Sequence, residues 1–316
     1  GTLTLVDGTA GGLASNYALT GSRTATITQA AVTVTTSDVV KTYDGTLSVA
    51  GATTTASPIV LAGSNTQMFT GDTLSGGSYT FTNGNVSRAG GTATGAVLSD
   101  KVVTVAGVTV NDGNGGGNYA VTYASNTTST INPYAISLTG GRIYDGTTQV
   151  NSDIFSLSQR IGQETLGLTG VGTIQNSHVT LIGTTPQSQV LGSVGTLALT
   201  DGAGLAINYT LTGGTHNVTV NQRPLTLVAV IPNKIYDGNT AIPVTSLVLE
   251  NQVAGEALEL VYNPFANFNN KAAGEDKPVT IVNIMTQTSP TAVRTDYVTL
   301  PTTYQASASI FKKDVT

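Results

Sequence analysis

A basic residue, a β-former and then Tyr-Asp-Gly occur three times in this chain: KTYDG at 41–45, RIYDG at 142–146 and KIYDG at 234–238. Tyr43, Tyr144 and Tyr236 stand 101 and 92 residues apart, close to the size of one small domain, so the chain reads as a tandem array of modules. Four further tyrosines set the phase of the repeat. Tyr17, Tyr119, Tyr209 and Tyr297 each follow Asn or Asp, and each opens a β-patterned run that closes a module. Residues 1–21 nearly duplicate 195–213, which makes the opening of this sequence the second half of a module. The expected division is 1–30 as the end of a preceding repeat, followed by repeats over 31–132, 133–222 and 223–316.

Inside each repeat the pattern is that of strands and turns. Residues 31–36 (AVTVTT) alternate with period two, which buries one face, and Asn83-Gly84, Asp112-Gly113 and Asp201-Gly202 are strong turn dipeptides. This predicts an all-β chain of Ig-like or Greek-key, sandwich-like repeats strung in an elongated rod. Two stretches carry a helical hint. In 153–164 the residues Ile154, Leu157 and Ile161 share one helical face, and 247–262 is similar, so a β-grasp-like unit with a short helix is the alternative. The joints between repeats are only a few residues long, and Pro133 and Pro224 restrict the backbone there, which favours stiff junctions.

Composition narrows the function. Hydrophobic residues make up 39% of the chain, enough apolar surface to offset chain entropy. A net charge of −5, with 13 basic residues scattered along the sequence, argues against nucleic acid, whose phosphates need clustered Lys and Arg. No apolar run reaches membrane-spanning length, so no membrane insertion is expected of this segment. Cysteine is absent, which removes disulfides and thiolate metal sites and suits export across a bacterial envelope in an unfolded state.

The Tyr-Asp-Gly triplet pairs a phenol with a carboxylate, yet an active site copied three times in a row is unusual, and no enzyme is expected. The structural reading is a tyrosine corner. The rings of Tyr43, Tyr144 and Tyr236 bury while each hydroxyl finds a backbone partner. Asp44, Asp145 and Asp237 cap the following turn, and Gly45, Gly146 and Gly238 supply positive φ. No cofactor is expected, and calcium is the one metal reading. It would sit in oxygen-rich turns at Asp7, Asp112 and Asp201, although none has the spacing of an EF-hand or a nonapeptide array. His178 and His216 lie in one repeat without counterparts in its neighbours and read as strand histidines, not zinc ligands. The nucleophile motif G-x-S-x-G is missing.

The order K/R-x-Y-D-G, a central Gly-Asp or Gly-Glu turn and a closing Asn-Tyr hairpin resembles the YDG and related MBG-type repeats. Those repeats occur in very large bacterial surface adhesins of the filamentous-haemagglutinin-like, two-partner-secreted kind. The resemblance covers nearly the whole chain. It implies an extracellular stalk segment, secreted or held at the bacterial cell surface, that projects a distal binding region for attachment, aggregation or biofilm formation. Its partners would be neighbouring repeats of the same long chain. The sequence departs from the pattern at Asp296, which replaces Asn, and at Gly162-Gln163 and Gly255-Glu256, where the first repeat has Gly71-Asp72. That divergence bears on any common ligand at these turns and leaves a common fold untouched. The competing function is that the repeats themselves bind host-cell or biofilm-matrix glycan or protein through exposed aromatics. Tyr262, Phe265 and Phe268 would be the leading contacts, beside Tyr79, Phe81 and Tyr123. Binding predicts these rings clustered in solvent; a stalk predicts them inside.

Overall fold

A computed structural model of the chain describes residues 3–21, 24–49, 59–61 and 68–315. The fold class is all-β, with curled sheets in a sandwich-like arrangement. Among the described residues the helical segments are 3-10 turns of three residues each, at Ala14–Asn16, Ala89–Gly91, Ser152–Ile154, Ala206–Asn208 and Arg294–Asp296. The chain forms two compact units. One comprises Gly1–Val39, Leu47–Asn83 and Lys101–Ser129; the other comprises Val40–Thr46, Gly84–Asp100 and Thr130–Thr316.

In the first unit Ala30–Thr36 pairs parallel with Tyr119–Tyr123 and antiparallel with Ile59–Leu61. The period-two pattern of 31–36 emerges as expected: Val32, Val34 and Thr36 face inward, and both valines are fully buried. They pack in one cluster with Val105, Val110 and Tyr119. The long antiparallel pair Thr73–Phe81 with Lys101–Asn111 extends the same unit, in register from Phe81↔Val103 to Thr73↔Asn111.

The second unit holds two large sheets. Six strands run in the order Gln149–Asn151, Val171–Ile174, Ser188–Ser193, His216–Asn221, Leu138–Ile143, Phe155–Leu157. Five run in the order Lys234–Ile235, Thr303–Phe311, Gly274–Val282, Phe265–Phe268, Ala241–Pro243. The core under the second sheet is Leu227, Ile242, Leu247, Phe268, Val279, Ile281, Ile284 and Ile310, with Ala266 and Ala308 filling the close approaches. In every repeat the strand leading into Tyr-Asp-Gly lies parallel to the last strand: Val40↔Thr130 to Thr42↔Asn132, His216↔Leu138 to Asn221↔Ile143, and Lys234↔Ile310 with Ile235↔Phe311. Parallel neighbours need a crossover, and here the crossover is the body of the module itself.

The helical alternative fails at both stretches that suggested it. Residues 153–164 give a three-residue turn, Ser152–Ile154, and then the strand Phe155–Leu157, whose register with Gly140, Thr139 and Leu138 buries Phe155. Ile161 falls in the following turn and not on a helical face with Ile154 and Leu157. The stretch 247–262 divides into Ser246–Glu250 and Glu259–Val261 around a turn, with Asn251 at φ 67. A shared helical spacing of three apolar residues is a weak signal when adjacent backbone can join a sheet ladder. The β-grasp reading therefore falls with the helix.

Candidate functional site

The Tyr-Asp-Gly turn is built as its residue types dictate. Gly45, Gly146 and Gly238 have φ of 75°, 79° and 86°, the left-handed region that a Cβ penalises. The aspartates cap the turn: the amides of Thr46, Thr147 and Asn239 donate to Oδ1 of Asp44 (2.9 Å), Asp145 (2.9 Å) and Asp237 (3.1 Å). The leading basic residue closes the loop. Lys41 Nζ donates to Asp44 Oδ1 (2.7 Å) and the Thr46 carbonyl (2.8 Å), Lys234 Nζ to Asp237 Oδ1 (2.8 Å) and the Asn239 carbonyl (2.8 Å), and Arg142 to Asp145 and the Thr147 carbonyl. Burial pushes the Asp44 and Asp145 carboxyls up, but these donors outweigh it and hold both below the usual carboxylate range. Asp237 is held low chiefly by Lys234.

The tyrosine hydroxyls find side chains, which corrects the expectation of a backbone partner. Tyr43 donates to Glu164 Oε1 (2.5 Å), and Tyr209 donates to Glu164 Oε2 (2.6 Å). Tyr144 donates to Glu256 Oε1 (2.6 Å), and Tyr297 donates to Glu256 Oε2 (2.6 Å). In each case a Tyr-Asp-Gly tyrosine from one repeat and the closing tyrosine of the next share one carboxylate. The rings meet edge to face, at 5.5 Å and 72° for Tyr43 with Tyr209, and at 5.8 Å and 76° for Tyr144 with Tyr297. Tyr209 and Tyr297 are also anchored from behind, accepting from the amides of Ile161 (3.1 Å) and Val253 (3.0 Å). All four rings are buried, with exposures of 5% or less. Burial, then the bond to glutamate, raises the phenols: Tyr209 and Tyr297 are pushed up to about 12, and Tyr43 and Tyr144 lie above their ordinary value as well.

These junctions form a clasp of two phenols on one carboxylate, and the acid belongs to the central glycine turn of the repeat, at Glu256 as the motif reads and at Glu164, one residue beyond the Gly162-Gln163 it suggested. Glutamate 164, not Gln163, is the counterpart of Glu256: each donates its amide to the carbonyl three residues back, Glu164 to Ile161 and Glu256 to Val253. Asp72 does the same to Phe69, and Tyr119 donates to Asp72 Oδ2 (2.6 Å) while accepting from the Phe69 amide (2.9 Å). The apparent divergence at these turns disappears, since all three repeats place an acid there. A signal was present: the acid precedes its closing tyrosine by 47, 45 and 41 residues.

A buried polar residue underpins each clasp. Asn208 is 1% exposed, accepts from the Val86 amide (2.8 Å) and donates to Asn85 Oδ1 (2.9 Å). Arg88 reaches the Ile207 and Tyr209 carbonyls at 3.0 and 3.1 Å. In the next junction Asp296 replaces Asn and is fully buried; it accepts from the Val179 amide (2.7 Å) and pairs with His178 Nδ1 (2.6 Å). The His178 ring stacks on Tyr144 at 6.0 Å. His178 is thus a junction residue, not a lone strand histidine, and Asp296 is a substitution its neighbourhood answers. His216 remains a strand residue, its Nδ1 3.2 Å from the Leu138 amide.

The other sequence candidates are placed as follows. Tyr236 is 38% exposed, so one of the three Tyr-Asp-Gly tyrosines is not buried as expected, and Tyr17 is 69% exposed. Asp7 accepts from the Ala14 amide (2.6 Å), Asp201 from the Ala206 amide (2.7 Å), and Asp112 from the amides of Asn114, Gly116 and Asn118. These carboxylates order the glycine-rich loops, and no cluster of three or more metal-type side chains occurs among the described residues. Of the aromatics offered as ligand contacts, Phe265 is 54% exposed, Phe268 is buried at 3% and Tyr262 packs half-buried on the core. Alternation along Phe265–Phe268 sends the two rings to opposite faces, so they do not cluster. Phe81 is fully buried, Tyr79 is half-buried and Tyr123 is 44% exposed.

Residues 221–306 match the YDG domain. No curated protein matches the chain. Among solved structures, Drosophila N-cadherin EC1-3 aligns at 9% identity over 91% of this chain and 98% of its own, with a TM-score of 0.16. Drosophila N-cadherin EC1-4 aligns at 9% identity over 90% and 75%, with a TM-score of 0.17. Likenesses at those scores carry no argument about the fold.

Proposed function

We propose that this chain is a stalk segment of a secreted bacterial cell-surface adhesin, whose repeats are tied to one another by tyrosine–carboxylate clasps and hold a distal binding region away from the cell. The observation that supports this reading is the recurrence of one junction: Tyr43–Glu164–Tyr209 and Tyr144–Glu256–Tyr297 use the same atoms to fasten consecutive modules. A joint copied with its geometry is what an array of repeats that contact only their neighbours would use. The YDG match over 221–306 supports it as well. A polypeptide that works by length and stiffness needs no cleft.

The test is single-molecule pulling between the chain ends, comparing the parent with Glu164→Ala and Glu256→Ala. The stalk reading expects separate module-sized unfolding steps, and lower forces at the junction that each substitution opens. Unchanged force traces in both variants would refute a mechanical role for the clasps. Saturable binding of the parent on a glycan array would instead favour the repeats as the binding elements.

A further inference from the structure

The four phenols of the two clasps are placed for a reaction as well as for a hydrogen bond. Tyr43 and Tyr209 converge on the two oxygens of Glu164 at 2.5 and 2.6 Å, and Tyr144 and Tyr297 converge on those of Glu256 at 2.6 Å each. Because both hydroxyls of a pair meet one carboxylate, the ring carbons beside the two C–O bonds are brought to the same corner. The rings stand edge to face with centroids 5.5 and 5.8 Å apart, so the edge of one is directed at the other. Those ortho carbons are where a phenol that has lost one electron carries much of its unpaired spin. The chain has 12 tyrosines and neither cysteine nor tryptophan, which leaves tyrosine as the side chain that most readily gives up one electron. Burial of all four rings, at 5% exposure or less, keeps water and small reductants away from a radical formed there.

The carboxylate answers the question of the proton. Burial and then the bond to glutamate disfavour the phenolate, with Tyr209 and Tyr297 pushed up to about 12, so the proton has to leave together with the electron. Glu164 and Glu256 already accept from these hydroxyls, and both are half-buried, so each can pass a first proton to water and take a second. Tyr134 supplies a contrast. Its ring lies 6.2 Å from that of Tyr209 at 80°, nearly the same edge-to-face contact, but the hydroxyls bonded to Glu164 are those of Tyr43 and Tyr209.

We propose that each clasp is a site of oxidative cross-linking, at which a one-electron oxidant of the haem-peroxidase or high-valent metal class joins Tyr43 to Tyr209, and Tyr144 to Tyr297, as dityrosine. Each phenol gives one electron to the oxidant and one proton to the shared carboxylate, and from there to water. The two phenoxyl radicals then form a carbon–carbon bond between ortho positions. The hydrogen on each joined carbon moves as a proton to its own ring oxygen, which restores both phenols. Two electrons and two protons have left, and consecutive repeats are tied covalently. The reaction rests on the clasp geometry alone, so it can fail while the stalk reading stands.

The test is oxidation of the whole chain at high dilution with photogenerated tris(bipyridine)ruthenium(III) and persulfate, followed by proteolysis and peptide mass mapping. The expected result is two cross-linked peptide pairs, one joining Tyr43 to Tyr209 and one joining Tyr144 to Tyr297, each two hydrogens lighter than the sum of its parts. The same treatment in urea should scatter the cross-links over other tyrosines. Glu164→Gln keeps the shape and removes the base. It should lower the Tyr43–Tyr209 product by about tenfold or more while the Tyr144–Tyr297 product in the same molecule serves as reference, and Glu256→Gln should do the reverse. The map of the parent decides alone if a variant does not fold. Oxidation of the exposed Tyr17 and Tyr236 with neither clasp pair coupled, a Tyr134–Tyr209 product that exceeds the Tyr43–Tyr209 one, clasp products that form equally in urea, or yields unchanged in both folded glutamine variants would each overturn the proposal.

Discussion

Replacing Glu256 by alanine should cost about 2–4 kcal/mol. The carboxylate accepts from Tyr144 and Tyr297 at 2.6 Å each, and the two rings are 1% and 0% exposed. A charge-assisted hydrogen bond contributes about 1.5–3 kcal/mol, and a buried donor left without an acceptor costs about 1–3 kcal/mol. Glu256 itself is only half-buried, so water can enter where the carboxylate was and recover part of the loss. The lower part of that range, about 1–2 kcal/mol for each of two phenols, is therefore the appropriate figure. In urea unfolding followed by circular dichroism the midpoint falls while the slope is kept. In a thermal scan the same loss corresponds to roughly 4–16 °C, at about 2–4 °C per kcal/mol for a unit of this size. Glu259→Ala is the control, since Glu259 is exposed and should change stability by less than about 0.5 kcal/mol. The two tyrosines can then be told apart. Tyr297→Phe should cost more than Tyr144→Phe, because it also strips the Val253 amide of its acceptor. An alanine variant within about 0.5 kcal/mol of the parent, or phenylalanine variants in the reverse order, would refute the clasp as a source of stability.

Three further outcomes follow from the same geometry. Tyr144→Ala should destabilise by about 3–5 kcal/mol, as truncation of a buried aromatic does, and an unchanged melting curve would remove Tyr144 from the core. Alkali should open the junctions: Tyr209 and Tyr297 are pushed up to about 12 when folded, against about 10 unfolded, so their stabilisation is complete below pH 10 and lost as pH climbs from there toward 12. Tyrosinate absorbance read beside circular dichroism checks this, and ionisation of every tyrosine near pH 10 with the fold intact would contradict it. Gly146→Ala should cost more than about 1 kcal/mol, since φ is +79° and the new Cβ would meet Val253 at 3.1 Å, whereas Gly238→Ala, with open space around it, should show the backbone penalty alone in parallel urea titrations.

Much of the architecture was legible because strand alternation and turn chemistry are local. Val32 and Val34 go inward as period two requires, and the Asp and Gly of each Tyr-Asp-Gly turn behave as their side chains dictate. The helix suggested over 153–164 did not form because Phe155–Leu157 had a sheet edge to join at Leu138–Gly140, a partner that lies outside any short window. The junction was illegible for the same reason. Glu164 and Glu256 lie 121 and 112 residues from the Tyr-Asp-Gly tyrosines they hold, and a lone acid in a turn looks like solvated charge until the fold brings two phenols to it. The central glycine turn and the interval from each acid to its own closing tyrosine were the readable traces, but neither says which distant phenol the acid meets. His178 could not be read at all, because its partner Asp296 belongs to the next repeat.

The parallel pairing of the last strand with the strand that leads into each Tyr-Asp-Gly turn also determines how a module gives way under tension. Pulling its two ends apart slides one strand along the other, so the hydrogen bonds between them are loaded together and must break almost at once. The second repeat sets six residue pairs against that slip, from His216↔Leu138 to Asn221↔Ile143, while the third sets only two, Lys234↔Ile310 and Ile235↔Phe311. Under steady traction the chain would yield at its third module first, and that module would act as the fuse that spares the second.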